Sequence, residues 1–268
     1  YMTEMFLNAN ALSDDNKCAI HSSFSSNENW PYDWSEFCPD IFQPQTTAEL
    51  QTAVDMWVDD NATALETYGE INTWDVSLIT DMSLLFLGAT NFNDDIGNWD
   101  VSNVTTMSRM FEQANSFNQD LSSWDVSSVT ALSYMFRYAN SFNGDISNWD
   151  ISSVTNMYGM FYGTTSFNGD LSSWDVSGVT NMQGMFNGAT SFNQDLSSWD
   201  VSSVTNMNQM FISASNFNGD ISDWDVSSVS GMNYMFRSAT SFNQDISNWN
   251  VFSVTTMSAM FLYATSFN

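Results

Sequence analysis

The chain has 268 residues, of which 4 are Lys or Arg and 31 are Asp or Glu, giving a formal net charge of -27. Four scattered cations cannot form the basic stripe that displaces counterions from a phosphate backbone, so nucleic acid is excluded as a partner. With 43% hydrophobic and 15% aromatic residues the acidity does not signal disorder, and no apolar run approaches the ~18 residues that span a bilayer.

At the N-terminus, Tyr1 to Asn10 carry neither a charged n-region nor an apolar h-region. Residues 2–10, MTEMFLNAN, match the Met-x-x-Met-Phe-x-x-Ala portion of a repeat found farther along, and read as the end of an upstream array. Ala11 to Phe42 breaks that pattern and holds both cysteines, the only histidine and all but one of the prolines. After Pro44 a helix is expected. Thr46-Thr47-Ala48-Glu49 is a capping box, and Leu50, Ala53, Val54, Trp57 and Val58 fall at i, i+3, i+4, i+7 and i+8. Residues 44–73 are therefore expected to form the helical N-terminal cap of a second array, with residues 1–43 closing the upstream one and the boundary near Asp40 to Gln45.

From Trp74 onward one unit is copied eight times. Trp recurs at 74, 99, 124, 149, 174, 199, 224 and 249, always 25 residues apart, in the pattern W-D-V-S-x-V-T-x-M-x-x-M-F-x-x-A-x-S-F-N-x-D-[IL]-S-x. No single unit can bury so many apolar side chains, so neighbouring copies must cover each other. Val, Ser, Thr, Asn, Asp and Phe suit strands and turns better than helix pairs. The expected fold is mainly β, a single-stack repeat solenoid of 25-residue coils over residues 74–268. Consecutive Met110 and Phe111 cannot both point inward from a flat strand, so a bulge or corner is expected there. Asn268 stops in mid-unit, and the expectation is that further chain or a partner covers that end.

Two aspartates recur per unit, one after the Trp (Asp75, Asp100, Asp125) and one three residues after the second Phe (Asp95, Asp120, Asp145). Stacked copies would set like charges side by side. Asx turns onto the backbone are the structural solution, and a row of Ca2+ ions is the functional one. No cofactor motif, no G-x-S-x-G, no H-E-x-x-H and no phosphate loop is present, and equivalent aspartates do not offer the unlike pair that glycoside hydrolysis needs. An enzyme is not expected.

The unit loses its constraint nine, ten, thirteen and fourteen residues after each Trp. These positions hold Arg109, Tyr134, Arg137, Tyr138, Tyr158, Tyr162, Tyr234, Arg237 and Tyr263, among polar neighbours such as Ser108, Glu112, Gln113, Gln183 and Asn187. Tyr and Arg supply contact energy at recognition surfaces, so this variable strip is the candidate binding face, the alternative being a merely tolerant surface. Equivalent positions should stack, bringing the first six together on one exposed face. A protein or glycan, with carboxylates or sugar rings, is the expected partner.

The run F-N-x-D-[IL]-S-x-W-D-V-S-x-V-T-x-M resembles the ~25-residue repeat of BspA-type surface proteins, over residues 74–268. V-T-N-M-x-x-M-F-x-x-A-T-S-F-N-G-D-I-S is also similar to the plant leucine-rich pattern. Leu12 to Cys38 resembles the cap that closes such arrays at the C-terminal end. The resemblance implies an extracellular or cell-surface interaction protein, often adhesive and not enzymatic. Cys18 and Cys38 both sit in that cap, where a disulfide would add on the order of 3 kcal/mol and require an oxidising compartment. Zinc held by Cys18, His21, Cys38 and Asp40 is the alternative. A structural or fibre-forming role, with self-association at the array ends or ice binding through the Thr80, Thr105 and Thr130 column, competes with adhesion.

Overall fold

The computed structural model describes residues 6, 12–27, 29–34, 37 and 41–268. The chain divides into two compact units, Tyr1–Ile41 and Phe42–Asn268. In the first, α1 (Asp14–Phe24) starts at Ser13, whose side chain accepts from the Asn16 amide. Phe6, Phe24, Trp30, Tyr32 and Trp34 form a ring cluster with centroids 5.0–6.1 Å apart. The sequence match at residues 2–10, apart from Phe6, lies outside the described residues, as do Cys38 and Asp40.

The second unit opens with α2 (Thr47–Asp59) and α3 (Asn61–Tyr68). The capping box forms with a shift: Thr46 accepts from the Glu49 amide, while the Glu49 carboxylate takes the N–H of Gln45. Leu50, Ala53, Val54 and Trp57 are buried as the periodicity predicts, whereas Val58 is 40% exposed because it lies past the edge of the apolar stripe. α2 lies along the first repeat like a neighbouring copy: Thr47 Oγ1 donates to Asp81 O, Gln51 Nε2 to Leu85 O and Trp57 Nε1 to Asp94 Oδ2.

The repeats do stack, but they are not β. Among the described residues only isolated parallel bridges occur, one residue per unit, from Asp81 to Thr106 and on through Ala131, Asn156, Asn181, Asn206 and Gly231 to Thr256. The expectation of a mainly β fold is therefore wrong, and the leucine-rich likeness gains no support. The reason lies in where the amides go. Met107, Arg109, Phe111 and Gln113 donate to Ala131, Ser133, Met135 and Arg137 of the next unit, whereas the intervening Met110, Glu112 and Ala114 close four-residue turns onto Met107, Arg109 and Phe111. Chained turns replace the extended backbone that a ladder needs. They also bury both Met110 and Phe111, the corner that the consecutive apolar pair calls for.

These turns need left-handed residues. Ten and fourteen positions after each Trp the backbone has φ between +50° and +73°, at Arg109, Gln113, Tyr134 and Tyr138 but also at Gly159, Gly163, Gly184 and Gly188. An L-residue is strained there and glycine is not. Gln113 is exposed, so Gln113→Gly should raise stability by about 0.5–1 kcal/mol in urea unfolding. A lower midpoint would mean that its side chain holds the strip together.

Inside the stack each recurring apolar position becomes a column. Trp124, Trp149 and Trp174 lie 6.4 Å apart with rings within 2° of parallel. Phe111, Phe136 and Phe161 stack at 5.6 and 5.7 Å, and each contacts the second Phe of its own unit at 3.8–4.1 Å. Tryptophan is selected over phenylalanine because its donor is used: Trp124, Trp149 and Trp174 Nε1 bond to Ile96, Leu121 and Ile146 O, each 28 residues earlier, across the unit boundary. The Asn of F-N makes a further ladder, Asn93 Oδ1 taking the Asn118 amide and Asn118 Oδ1 the Asn143 amide.

Candidate binding face

The variable strip follows the chained turns, so its side chains run from one unit onto the next. Arg109, Tyr134, Arg137, Tyr138, Tyr158 and Tyr162 converge there from three consecutive units. Glu112 is the centre of the group. Its side chain is only 5% exposed, Arg137 Nη1 donates to its Oε1 at 2.9 Å, and Arg109 Nε stands 3.0 Å from Oε2 without hydrogen-bond alignment. The Arg137 guanidinium also lies 4.9, 5.0 and 5.4 Å from the ring centres of Tyr134, Tyr138 and Tyr162, with Arg109 5.7 Å from Tyr134. Tyr134 meets Tyr158 at 4.5 Å, and Tyr138 meets Tyr162 edge-on at 5.4 Å.

The rings are seated on glycine. A Cβ on Gly159 would come 2.4 Å from the Tyr134 ring, and one on Gly163 would come 2.4 Å from the Tyr138 ring. The backbone fixes the same pairs, since Tyr134 and Tyr138 N–H donate to Tyr158 and Tyr162 O, both at 2.8 Å. Burial pushes the Tyr134 hydroxyl well above the ordinary tyrosine range, helped by hydrogen bonding to Tyr158, and burial also raises Tyr162, helped by repulsion from and hydrogen bonding to Tyr138. For Arg137 burial acts against the charge, but the Tyr138 hydrogen bond and the Glu112 carboxylate outweigh it and hold the proton more firmly.

Variability was expected to mean exposure, and this is only partly so. Arg109, Arg237 and Tyr263 are exposed, the other tyrosines and Arg137 are half-buried, and Glu112 is buried. The half-buried side chains lie along the stack over their neighbours instead of standing in water. Arg137 is therefore not dispensable to the fold. The remaining strip residues do not join the group: Arg237 stands over Tyr234 at 5.7 Å, and Tyr263, in the last unit, is 64% exposed. Glu112, Gly159 and Gly163 are members of the face that residue type alone did not single out. A signal existed, since Glu112 precedes Arg137 by 25 residues and Gly159 and Gly163 follow Tyr134 and Tyr138 by 25.

Both aspartate series close Asx turns. Asp100, Asp125 and Asp150 accept from Ser102, Ser127 and Ser152 amides, and Asp120, Asp145 and Asp170 from Ser122, Ser147 and Ser172. Among the described residues no three His, Cys, Asp or Glu side chains cluster as a metal site would need. Hydrogen bonds hold many of these carboxyls below the usual range: Ser hydroxyl first and amide second for Asp125, Asp175 and Asp200, amide first and hydroxyl second for Asp145, Asp170 and Asp220. At Asp200 the neighbouring Asp175 and Asp225 push the other way but by less. A carboxyl depressed in the folded state contributes stability above its unfolded pKa of about 4 and loses it as pH falls through the folded value. The melting temperature should therefore drop below about pH 4. A rise on acidification would mean that relief of charge repulsion wins.

Elsewhere the Thr105, Thr130 and Thr180 hydroxyls donate to the carbonyl of the preceding copy. His21 Nδ1 accepts from the Trp34 amide at 3.3 Å. The proposed disulfide and zinc partners Cys38 and Asp40 are outside the described residues. No helix among the described residues is long and apolar enough to cross a membrane.

Three tandem segments, 52–172, 144–219 and 195–268, match the model of a family described as Mycoplasma protein of unknown function, DUF285. Together they run unbroken from within α2 through the last repeat. No curated protein matches the chain.

Proposed function

The chain belongs to the DUF285 family of repeat proteins, and on that premise we propose that it is an extracellular or cell-surface, non-enzymatic module that binds a protein or glycan partner through its variable face. The observation that carries this reading is the gathering of two arginines and four tyrosines from three units around Glu112. The rest of the unit repeats almost unchanged, so a local departure held by specific contacts marks a place where composition serves something other than stacking. Amphipathic tyrosines at fixed positions supply contact area at small entropic loss.

The test is adhesion of the purified chain to immobilised extracellular-matrix proteins and polysaccharides, compared with a Tyr138→Ala, Tyr162→Ala variant. Binding that falls in the variant while its melting curve persists supports the reading; equal binding by both removes the face from it. A surface location also carries a covalent expectation. Peptide mass spectrometry without reduction should find Cys18 joined to Cys38, and two free thiols in natively produced material would contradict an oxidising compartment.

A further inference from the structure

Resting on that reading, we infer that the ligand of the central patch is a neutral, hydroxyl-rich glycan chain laid across the Tyr134–Tyr158 and Tyr138–Tyr162 pairs.

Charge decides against acidic ligands. Both arginines of the patch already share the Glu112 carboxylate, and Arg137 is further enclosed by three tyrosine rings. A carboxylate or sulfate would have to displace the buried Glu112 to pair with Arg137, is left only the exposed side of Arg109, and approaches a chain with formal net charge -27. A neutral ligand meets neither obstacle.

Chemistry then favours a sugar over a peptide. The side chains flanking the rings along the strip are Ser108, Gln113, Ser133 and Gln183, which donate and accept hydrogen bonds, whereas the exposed aliphatic Leu84 and Leu87 belong to the unit starting at Trp74, two units before Tyr134 and Tyr138. Tyrosine presents an apolar ring and a polar tip. A pyranose has the matching parts, a C–H face and a rim of hydroxyls. Arg109, with its side chain 46% exposed, keeps N–H donors for sugar hydroxyls. The platform is also set before binding, because Gly159 and Gly163 seat the rings and backbone bonds fix their spacing, so little freedom remains to be lost. Since the two members of each pair come from successive units, a chain of sugars should bind better than a single one.

The experiment is calorimetric titration of the 268-residue chain with cello-, laminari- and manno-oligosaccharides, and with alginate and heparin. At least one neutral series should bind, more tightly with length and with little dependence on salt. Tyr138→Ala with Tyr162→Ala should weaken it at least about tenfold, while Tyr138→Phe with Tyr162→Phe should retain most of the affinity. On the unaltered chain, which removes any question of folding, the bound glycan should protect Tyr138 and Tyr162 but not Tyr263 from nitration. Patch-dependent binding of alginate or heparin, or of a protein, with no neutral glycan bound would overturn the ligand class and leave the face standing. Absence of patch-dependent binding to any of these would overturn both.

Discussion

Truncating Phe136 to alanine should destabilise the array by about 3–5 kcal/mol, read as a lower midpoint in urea unfolding. The ring is fully buried, and it stacks on Phe111 at 5.6 Å, Phe161 at 5.7 Å and Phe142 at 3.8 Å. The cavity would open in the middle of a column whose backbone is tied on both sides, Phe111 N–H to Met135 O and Phe136 N–H to Met160 O, so little collapse can fill it. In a stack whose stability comes from neighbour interfaces, one central defect weakens two of them. Phe261→Ala is the internal comparison. That ring contacts Phe236 and Phe267 but is only partly buried, and its loss should be clearly smaller. Equal losses at both positions would show that the columns do not act as nearest-neighbour interfaces.

Arg137→Leu should lose about 2–3 kcal/mol, although an arginine on a variable surface strip would ordinarily be replaceable. Its removal leaves the Glu112 carboxylate, 5% exposed, with only Arg109, which is 46% exposed and poorly aligned for hydrogen bonding. An uncompensated buried charge is expensive, whereas replacing both partners by apolar groups is often nearly neutral. The double variant Glu112→Leu, Arg137→Leu should therefore return to within about 1 kcal/mol of the parent. Leu87, Ile212 and Leu262 already occupy the equivalent position in other units, so leucine fits the backbone. If the double variant loses the sum of the two single losses, the pair is not coupled and Glu112 is held by something else. This cycle also separates the fold from recognition, since a stable double variant retains the tyrosines.

Much of the array was legible in the amino-acid order alone. The 25-residue spacing of Trp, Val, Met and Phe named nearly every buried column, because only residues that meet their own copies can be held so constant. Thr46, Glu49 and the stripe from Leu50 to Trp57 marked α2, since capping and helical periodicity are local properties. The Asx turns at Asp100 and Asp120 were readable for the same reason: donor and acceptor are two residues apart. Convergence of the Tyr and Arg residues followed from register.

Strand or turn was decided only by tertiary structure. Ser, Thr, Asn and Val between Trp99 and Phe117 are compatible with either, and the choice depends on whether each amide bonds within its own copy or to the next. Alternate amides do one and then the other, which requires the left-handed backbone at Arg109 and Gln113 and prevents a sheet. The burial of Glu112 was likewise invisible in composition, because a carboxylate leaves water only when a partner is brought to it. That partner, Arg137, is 25 residues away along the chain and 2.9 Å away once two units stack.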